Sequence, residues 1–483
     1  MDRYINYING EWRDSAGKKT FTDINPSDSR DLIGEFADST PEDVKIAINS
    51  ANNSFSKWAS FSSVKRAEFL YKAADFLGAN VDNIAYGMSR ENGKCIDEAK
   101  GEVIRGVAIL RYYAGEGTRN SGEVIPSSNP NSLLYTKRVP LGAVGIITPW
   151  NFPLAIPLWK LSPALIFGNT VVFKPSFYTP WVGIKIMEAF IHAGLPEGVL
   201  NMVTGRGSIV GEALVSSSGI NGVSFTGSNE TGRKIAKEAS LHKIKYQLEM
   251  GGKNPVIIMP DANMEMAVEL TVSGAMRYAG QKCTATSRAI VIESVADEFT
   301  ERLVNKVKSL KIGKATEPDT YVGPVISEEA QDRIMGYIEK GKKEARLLYG
   351  GKPLKEGEFK NGFYIEPAVF TDVRPDMTIA QEEIFGPVLS IIKAKDFEDA
   401  IRIANNVSFG LSVSIFTKDV NCIMNYVDKI ESGMIRVNTE TTGLEPQAPF
   451  GGMKDSSSYS REMGRSSIEF FTQIKTVYID YSR

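Results

Sequence analysis

Between residues 142 and 251 the chain alternates apolar, strand-like runs with helical periods, and this alternation restricts the fold more than any other feature. Candidate strands are 142–148, 170–174, 198–203, 222–226 and 245–250, separated by helices at about 156–167, 180–194, 208–216 and 229–239. Five strands joined by helical crossovers imply a parallel, doubly wound α/β sheet. Such a sheet binds its ligand at the carboxyl edge of the strands.

A second α/β unit follows. Its expected strands are 254–259, 288–293, 387–393, 411–416 and 433–438, with helices near 264–279, 295–310, 328–345, 397–406 and 420–431. Before the first unit, Tyr7-Ile-Asn-Gly-Glu-Trp12 reads as a hairpin on an Asn-Gly turn, and Thr40-Pro41 opens a helical region. A second hairpin is expected over 121–140, and 470–480 forms a long alternating strand. An edge strand of that length invites pairing, so these two segments are expected to pair across subunits. At 483 residues the chain exceeds one typical core. The expected division is a first domain from 1–120 and 141–252, a second over 253–440, and a small β oligomerisation element from 121–140 and 463–483.

The charge balance excludes some partners. With 56 basic and 58 acidic residues the net charge is −2, which offers nothing to nucleic acid or an anionic membrane. No apolar run approaches a bilayer span, and the first residues lack the apolar core of a signal peptide, so a soluble, cytoplasmic protein is expected. Cys95, Cys283 and Cys422 show no CxxC spacing, so neither a disulfide framework nor a metal site is expected. The two histidines are poorly placed for catalysis, His192 at a helix end and His242 in a polar connection. A base serving a cysteine would therefore be a carboxylate.

Cys283 stands in Gly280-Gln-Lys-Cys-Thr-Ala-Thr-Ser-Arg288, between a helical pattern and a buried strand. A thiol at such a junction can be exposed and close to backbone N–H groups, which lower its pKa and favour a nucleophilic thiolate. The plain alternative is a small buried hydrophobe. Glu249, between Leu248 and Met250, is an acid in an apolar strand, where desolvation raises a carboxyl pKa toward that of a useful base. Its plain alternative is a surface acid at a strand end. Ser228 caps a helix whose free N–H groups could hold a pyrophosphate.

The strand ends form an ordered set: Thr148-Pro-Trp-Asn-Phe-Pro153, Lys174-Pro-Ser176, Thr204-Gly-Arg-Gly207, Phe225-Thr-Gly-Ser228 and Glu249-Met-Gly-Gly-Lys-Asn254. Together with Gly280-Gln-Lys-Cys283 and Glu382-Glu-Ile-Phe-Gly-Pro387, the set resembles the aldehyde dehydrogenase superfamily nearly end to end. The resemblance implies a variant Rossmann sheet binding NAD or NADP, and oxidation of an aldehyde to its acid through a thiohemiacetal and a thioester. It implies Cys283 as nucleophile, Asn151 as oxyanion donor and Glu249 as the base that activates water. An isolated Asn151 would otherwise read as an Asx-turn residue.

The implied cofactor contacts run along Ile147, Thr148, Pro149 and Trp150, then Lys174 and Ser176, Gly207, and Phe225, Thr226, Gly227 and Ser228. They continue at Gly251, with Glu383 and Phe385 against the nicotinamide half. NAD-restricted relatives carry a ribose-binding glutamate where this chain has Phe177, so NADP is expected to be tolerated, with its preference left open. Lys174 is expected to remain cationic there.

The loop Thr439-Glu-Thr-Thr-Gly-Leu-Glu-Pro-Gln-Ala-Pro-Phe-Gly-Gly452 most resembles the branch oxidising 2,5-dioxopentanoate (α-ketoglutarate semialdehyde). Succinate semialdehyde, glyceraldehyde and simple aliphatic aldehydes are rivals. Leu158-Trp159-Lys160 lacks the arginine that succinate semialdehyde enzymes carry at the position of Trp159. Gln281, Lys282 and Gln447 are candidates for holding an acidic substrate. A homo-oligomer, dimer or tetramer, is expected. A relative that transfers its acyl group to coenzyme A, a non-catalytic structural relative and a cysteine hydrolase fit less well: the first usually lacks the acid at 249, the second has no need of the three site residues, and the third would want a histidine.

Overall fold

The computed structural model describes residues 1–119 and 122–482. The extreme positions of the expected segments, Asn120, Ser121 and Arg483, lie outside the described residues. The first sheet has the order Lys245–Glu249, Gly222–Thr226, Ala143–Ile147, Thr170–Lys174 and Leu200–Met202, all parallel. These are the five expected strands, trimmed by a residue or two at their ends. The sheet has seven strands because the N-terminal hairpin, Asn6–Ile8 and Glu11–Arg13, adds antiparallel to the last of them. That hairpin turns through Asn9 and Gly10, both at positive φ, as an Asn-Gly turn requires.

Alternate residues of these strands enter different cores, as the two-residue period of a strand dictates. Val144, Ile146, Val171 and Phe173 join one buried cluster, and Ala143, Ile147, Val172 and Val223 join another. Both faces are covered by helices, which is why the strands read as continuous apolar runs. Chain order reverses between Ala143–Ile147 and Gly222–Thr226, so a crevice opens where Thr148 and Thr226 leave the sheet. The expected helix at 208–216 is a short π-helical turn, Gly207–Gly211, running into Glu212–Val215.

The second sheet is ordered Arg346–Tyr349, Ala368–Thr371, Val388–Ala394, Arg288–Ile292, Pro255–Ile258, Ser412–Phe416 and Met434–Val437. The first two strands were not expected. They are short and separated by a long irregular stretch, so no periodicity marks them. The helix expected over 264–279 ends at Met276. A tight turn over Arg277–Gly280 follows, in which Tyr278 and Ala279 take positive φ, and it delivers Cys283 to the seam between the sheets.

The strand Thr472–Asp480 pairs antiparallel with Ser132–Pro140 of the same chain over nine residues. One of its edges is thus paired within the chain, and its outer edge carries no strand among the described residues. Among the described residues no helix is long and apolar enough to cross a membrane, and no cluster of metal-ligating side chains is present.

Asn254 clips the cysteine loop to the second sheet. Its Nδ2 donates to the carbonyls of Cys283 at 2.8 Å and Ala285 at 2.9 Å, while its Oδ1 accepts from the N–H of Ser412 at 3.0 Å. Replacing Asn254 by Ala strands three buried backbone groups, each costing about 1–3 kcal/mol. Asn254→Ala is therefore expected to lower the apparent Tm by several degrees. A thermal melt indistinguishable from the parent protein would contradict this role.

Candidate active site

The carboxyl edge of the first sheet meets the loops that precede the strands of the second. Cys283 arrives just before Arg288–Ile292 and Glu383 just before Val388–Ala394. Across the seam, Gly252 N–H donates to Glu383 Oε1 at 3.0 Å. A Cβ on Gly251 would lie 2.2 Å from Glu383 Oε2, so the paired glycines are what lets that carboxylate approach. Trp150 meets Phe385 edge to face at 5.5 Å and Tyr278 at 6.3 Å.

Asn151 is buried, and its Nδ2 donates to the carbonyl of Gln281 at 3.2 Å, two residues ahead of the cysteine. Its Oδ1 also accepts the N–H of Phe152 at 3.1 Å, so the Asx-like contact and the site position coexist. Lys94 holds the backbone below: its ammonium donates to the Asn151 carbonyl at 2.8 Å, is paired with Glu102, and lies 4.1 Å from the centre of the Phe152 ring. Glu102 in turn accepts from the N–H groups of Leu154 and Ala155.

Cys283 is partly buried and lines a cavity of about 200 Å³ with Phe152, Trp159 and Phe450. Its thiol pKa is raised to about 12, first by desolvation and then by the charges of Glu383 and Glu249. The backbone N–H groups of Cys283 and Thr284 pull the other way and do not prevail. This corrects the expectation of a lowered pKa: with two carboxylates facing it, the resting sulfur holds its proton.

Glu249 is 1 % exposed at the end of its strand. Ser457 Oγ donates to its Oε2, while Oε1 is buried with no hydrogen-bond partner. Burial and then the charge of Glu462 hold its carboxyl well above the usual range. Glu462 is itself engaged: it pairs with Lys160 and accepts from Trp159 Nε1 at 2.7 Å and Ser224 Oγ at 3.1 Å. Trp159 and Lys160 are therefore committed to an internal acid.

The expected cofactor positions gather around the crevice at the strand reversal. Thr148 and Thr226 each have a buried hydroxyl without a partner at neighbouring strand ends. Ser228 caps the helix Asn229–Leu241 by accepting from Thr231 N–H at 3.3 Å. The adjacent helix start and open strand ends fit an anionic, hydroxyl-rich ligand. Phe225 is buried in a core cluster, its ring 2.5 Å from where a Cβ of Gly227 would stand. Ile147 is buried, Pro149 is partly so, and Gly207 opens the exposed π-helical turn.

Lys174 is buried, and its amine donates to the neighbouring Pro175 carbonyl at 2.9 Å. Desolvation lowers its pKa to about 8, so it is not permanently cationic as expected. Ser176 Oγ accepts from Tyr178 N–H at 3.3 Å. Phe177 stacks on Phe21 at 4.1 Å, and the Arg206 guanidinium lies 5.4 Å from the centre of its ring.

Of the residues expected to hold an acidic substrate, only Lys282 lines the cysteine cavity. Gln281 is fully buried and structural, accepting from Ile326 N–H at 2.9 Å and donating to Tyr278 and Pro324 carbonyls. Gln447 is exposed and donates to Glu445. Sequence reasoning missed Lys94, Glu102, Glu462 and Ser457. Each reaches the site from a distant segment, with no local motif to mark it.

The family model described as "Aldehyde dehydrogenase family" matches residues 12–477. The chain is 50% identical over 480 residues to the α-ketoglutaric semialdehyde dehydrogenase of Bacillus subtilis, covering 99% of this chain and 98% of the relative. It is 42% identical over 472 residues to the 2,5-dioxopentanoate dehydrogenase of Saccharolobus solfataricus, covering 97% and 98%. The crystal structure of betaine aldehyde dehydrogenase from Staphylococcus aureus in complex with NAD+ superposes with a TM-score of 0.97 at 34% identity, covering 99% of this chain and 95% of that one. A parallel α/β architecture, a cysteine and a buried acid at the seam of its two sheets, and similarity along the whole length make this chain a member of the aldehyde dehydrogenase family.

Proposed function

We propose that this protein oxidises a semialdehyde that carries a distant carboxylate, 2,5-dioxopentanoate first among them, to the corresponding acid with NAD or NADP. One observation supports the chemistry above the others: the Cys283 sulfur lines an open cavity, and the charge of the buried Glu249, one of whose oxygens has no partner, acts on it. The substrate assignment is supported by the relatives of that name and by the 439–452 loop, part of which walls the cavity.

In this reading the Cys283 thiol gives up its proton to solvent and the thiolate adds to the aldehyde carbon. Charge develops on the former carbonyl oxygen, where the second N–H of Asn151 Nδ2 and the Cys283 backbone N–H donate to it. A bound nicotinamide supplies the hydride acceptor. Loss of hydride leaves a thioester on Cys283. Glu249 takes a proton from water, which attacks the thioester, releases the acid and restores the sulfur. The free Oε1 of Glu249 is the atom for that proton, while the Ser457 hydroxyl fixes the other oxygen. Thr148, Thr226 and the helix behind Ser228 would hold the dinucleotide, and Glu383 with Phe385 its nicotinamide half.

We read the protein as a homo-oligomer, dimer or tetramer, associating through the outer edge of Thr472–Asp480, where Ile474, Tyr478 and Ile479 are exposed.

Glu249→Gln should retain a first-turnover burst of reduced nucleotide and lose steady-state turnover by about 100-fold or more. In the parent enzyme thioester hydrolysis should fall as pH drops, because a base whose pKa is raised is protonated early. Stopped-flow traces with no burst and an unchanged steady-state rate would contradict the assignment. For the nucleotide, no acid stands at Phe177 and the Arg206 cation lies beside it, so NADP should be used at a kcat/KM within about tenfold of that for NAD, or better. Rejection of NADP at saturating concentration would refute this.

A further inference from the structure

Four cations line the cysteine cavity, Lys94, Arg105, Arg277 and Lys282, and two of them are already paired. Lys94 is paired with Glu102. Arg277 is paired with Asp97 at 2.8 Å. Lys282 has no hydrogen-bond partner among the described residues but faces the buried Glu98, and on its other side borders the small cleft lined by Glu383 and Phe385. It belongs to the reacting, cofactor-facing end of the cavity.

Arg105 differs. It lies on the helix Ile96–Glu116, is partly buried, and has neither a hydrogen bond nor an ion pair among the described residues. It lines both the 200 Å³ cavity that contains Cys283 and a wider outer chamber of about 620 Å³. In that chamber Arg436 is held by the Gly443 carbonyl and by the charge of Glu440. Arg105 is thus an uncommitted guanidinium at the throat between solvent and the sulfur.

A semialdehyde with its carbonyl carbon on Cys283 must point its other end away from the cofactor, along the cavity toward that throat. A guanidinium presents two parallel N–H groups that match a carboxylate. We propose that Arg105 binds the distal carboxylate of the substrate and is the residue that selects acidic aldehydes over neutral ones. The inference rests on the substrate reading above. Phe152, Trp159 and Phe450 would pack against the intervening carbon chain.

Steady-state kinetics of the parent enzyme, Arg105→Gln and Arg105→Lys with 2,5-dioxopentanoate and with pentanal test this. The parent enzyme should prefer the acidic aldehyde. In Arg105→Gln the ratio of kcat/KM between the two aldehydes should fall by about tenfold or more, carried mainly by KM for the acid, with Arg105→Lys in between. A ratio kept within twofold in Arg105→Gln, or equal losses on both aldehydes, overturns the role of Arg105 and leaves the substrate reading standing. Collapse of the ratio in Lys282→Met but not in Arg105→Gln would place the carboxylate at Lys282 and likewise overturn it. A parent enzyme without preference for the acid overturns the substrate reading and this inference with it. Thermal melts of the variants separate loss of folding from loss of selection.

Discussion

The site depends on holding the edges of two sheets together. Within the second sheet Asn254 fixes the cysteine loop, since one amide satisfies two carbonyls of that loop and one N–H of the neighbouring strand. The Gly252–Glu383 bond and the Asn151–Gln281 bond cross the seam and join the first sheet to the second. All three contacts run from a side chain to backbone, so they specify where the loops lie rather than merely which surfaces touch. Cys283 is placed by these contacts and by its packing against the first core cluster.

Burial then determines the protonation chemistry. Desolvation raises Glu249, Cys283 and Glu383, the last to about 7, and each carboxylate adds to the cost of ionising the thiol. Two buried ion pairs, Lys94 with Glu102 and Lys160 with Glu462, lie beneath the same residues. Buried pairs of this kind contribute little net stability but are costly to break, so they lock the orientation of what they support. Here they support the Asn151 backbone and the surroundings of Glu249. The resting thiol, raised to about 12, keeps its proton.

Much of the fold was legible because the central strands of both sheets are buried and separated by helices of regular apolar period. The two expected sheets, the Asn9–Gly10 turn and the Ser228 cap follow from local rules. What escaped was non-local. The N-terminal hairpin joins the first sheet by a single register, Met202 opposite Tyr7, and nothing in either segment announces the other. The helix expected to reach 279 stops at Met276 because Tyr278 and Ala279 adopt left-handed backbone, which apolar periodicity cannot reveal. At the site, Cys283, Asn151 and Glu249 stood out through motif order. Arg105, Glu102 and Glu462 lie in helices or loops whose polarity resembles any solvated face. The direction of the Cys283 shift was misread, because nearby amides are visible in sequence and facing carboxylates are not.

The central claim is that Cys283 carries the acyl group between hydride loss and hydrolysis. It is tested most directly by mixing Glu249→Gln protein with 2,5-dioxopentanoate and NAD, quenching in acid within one turnover, and mapping the adduct by peptide mass spectrometry. The account predicts an added acyl mass on the peptide containing Cys283 and on neither Cys95 nor Cys422. Reduced nucleotide formed in stoichiometric amount with Cys283 unmodified would contradict it.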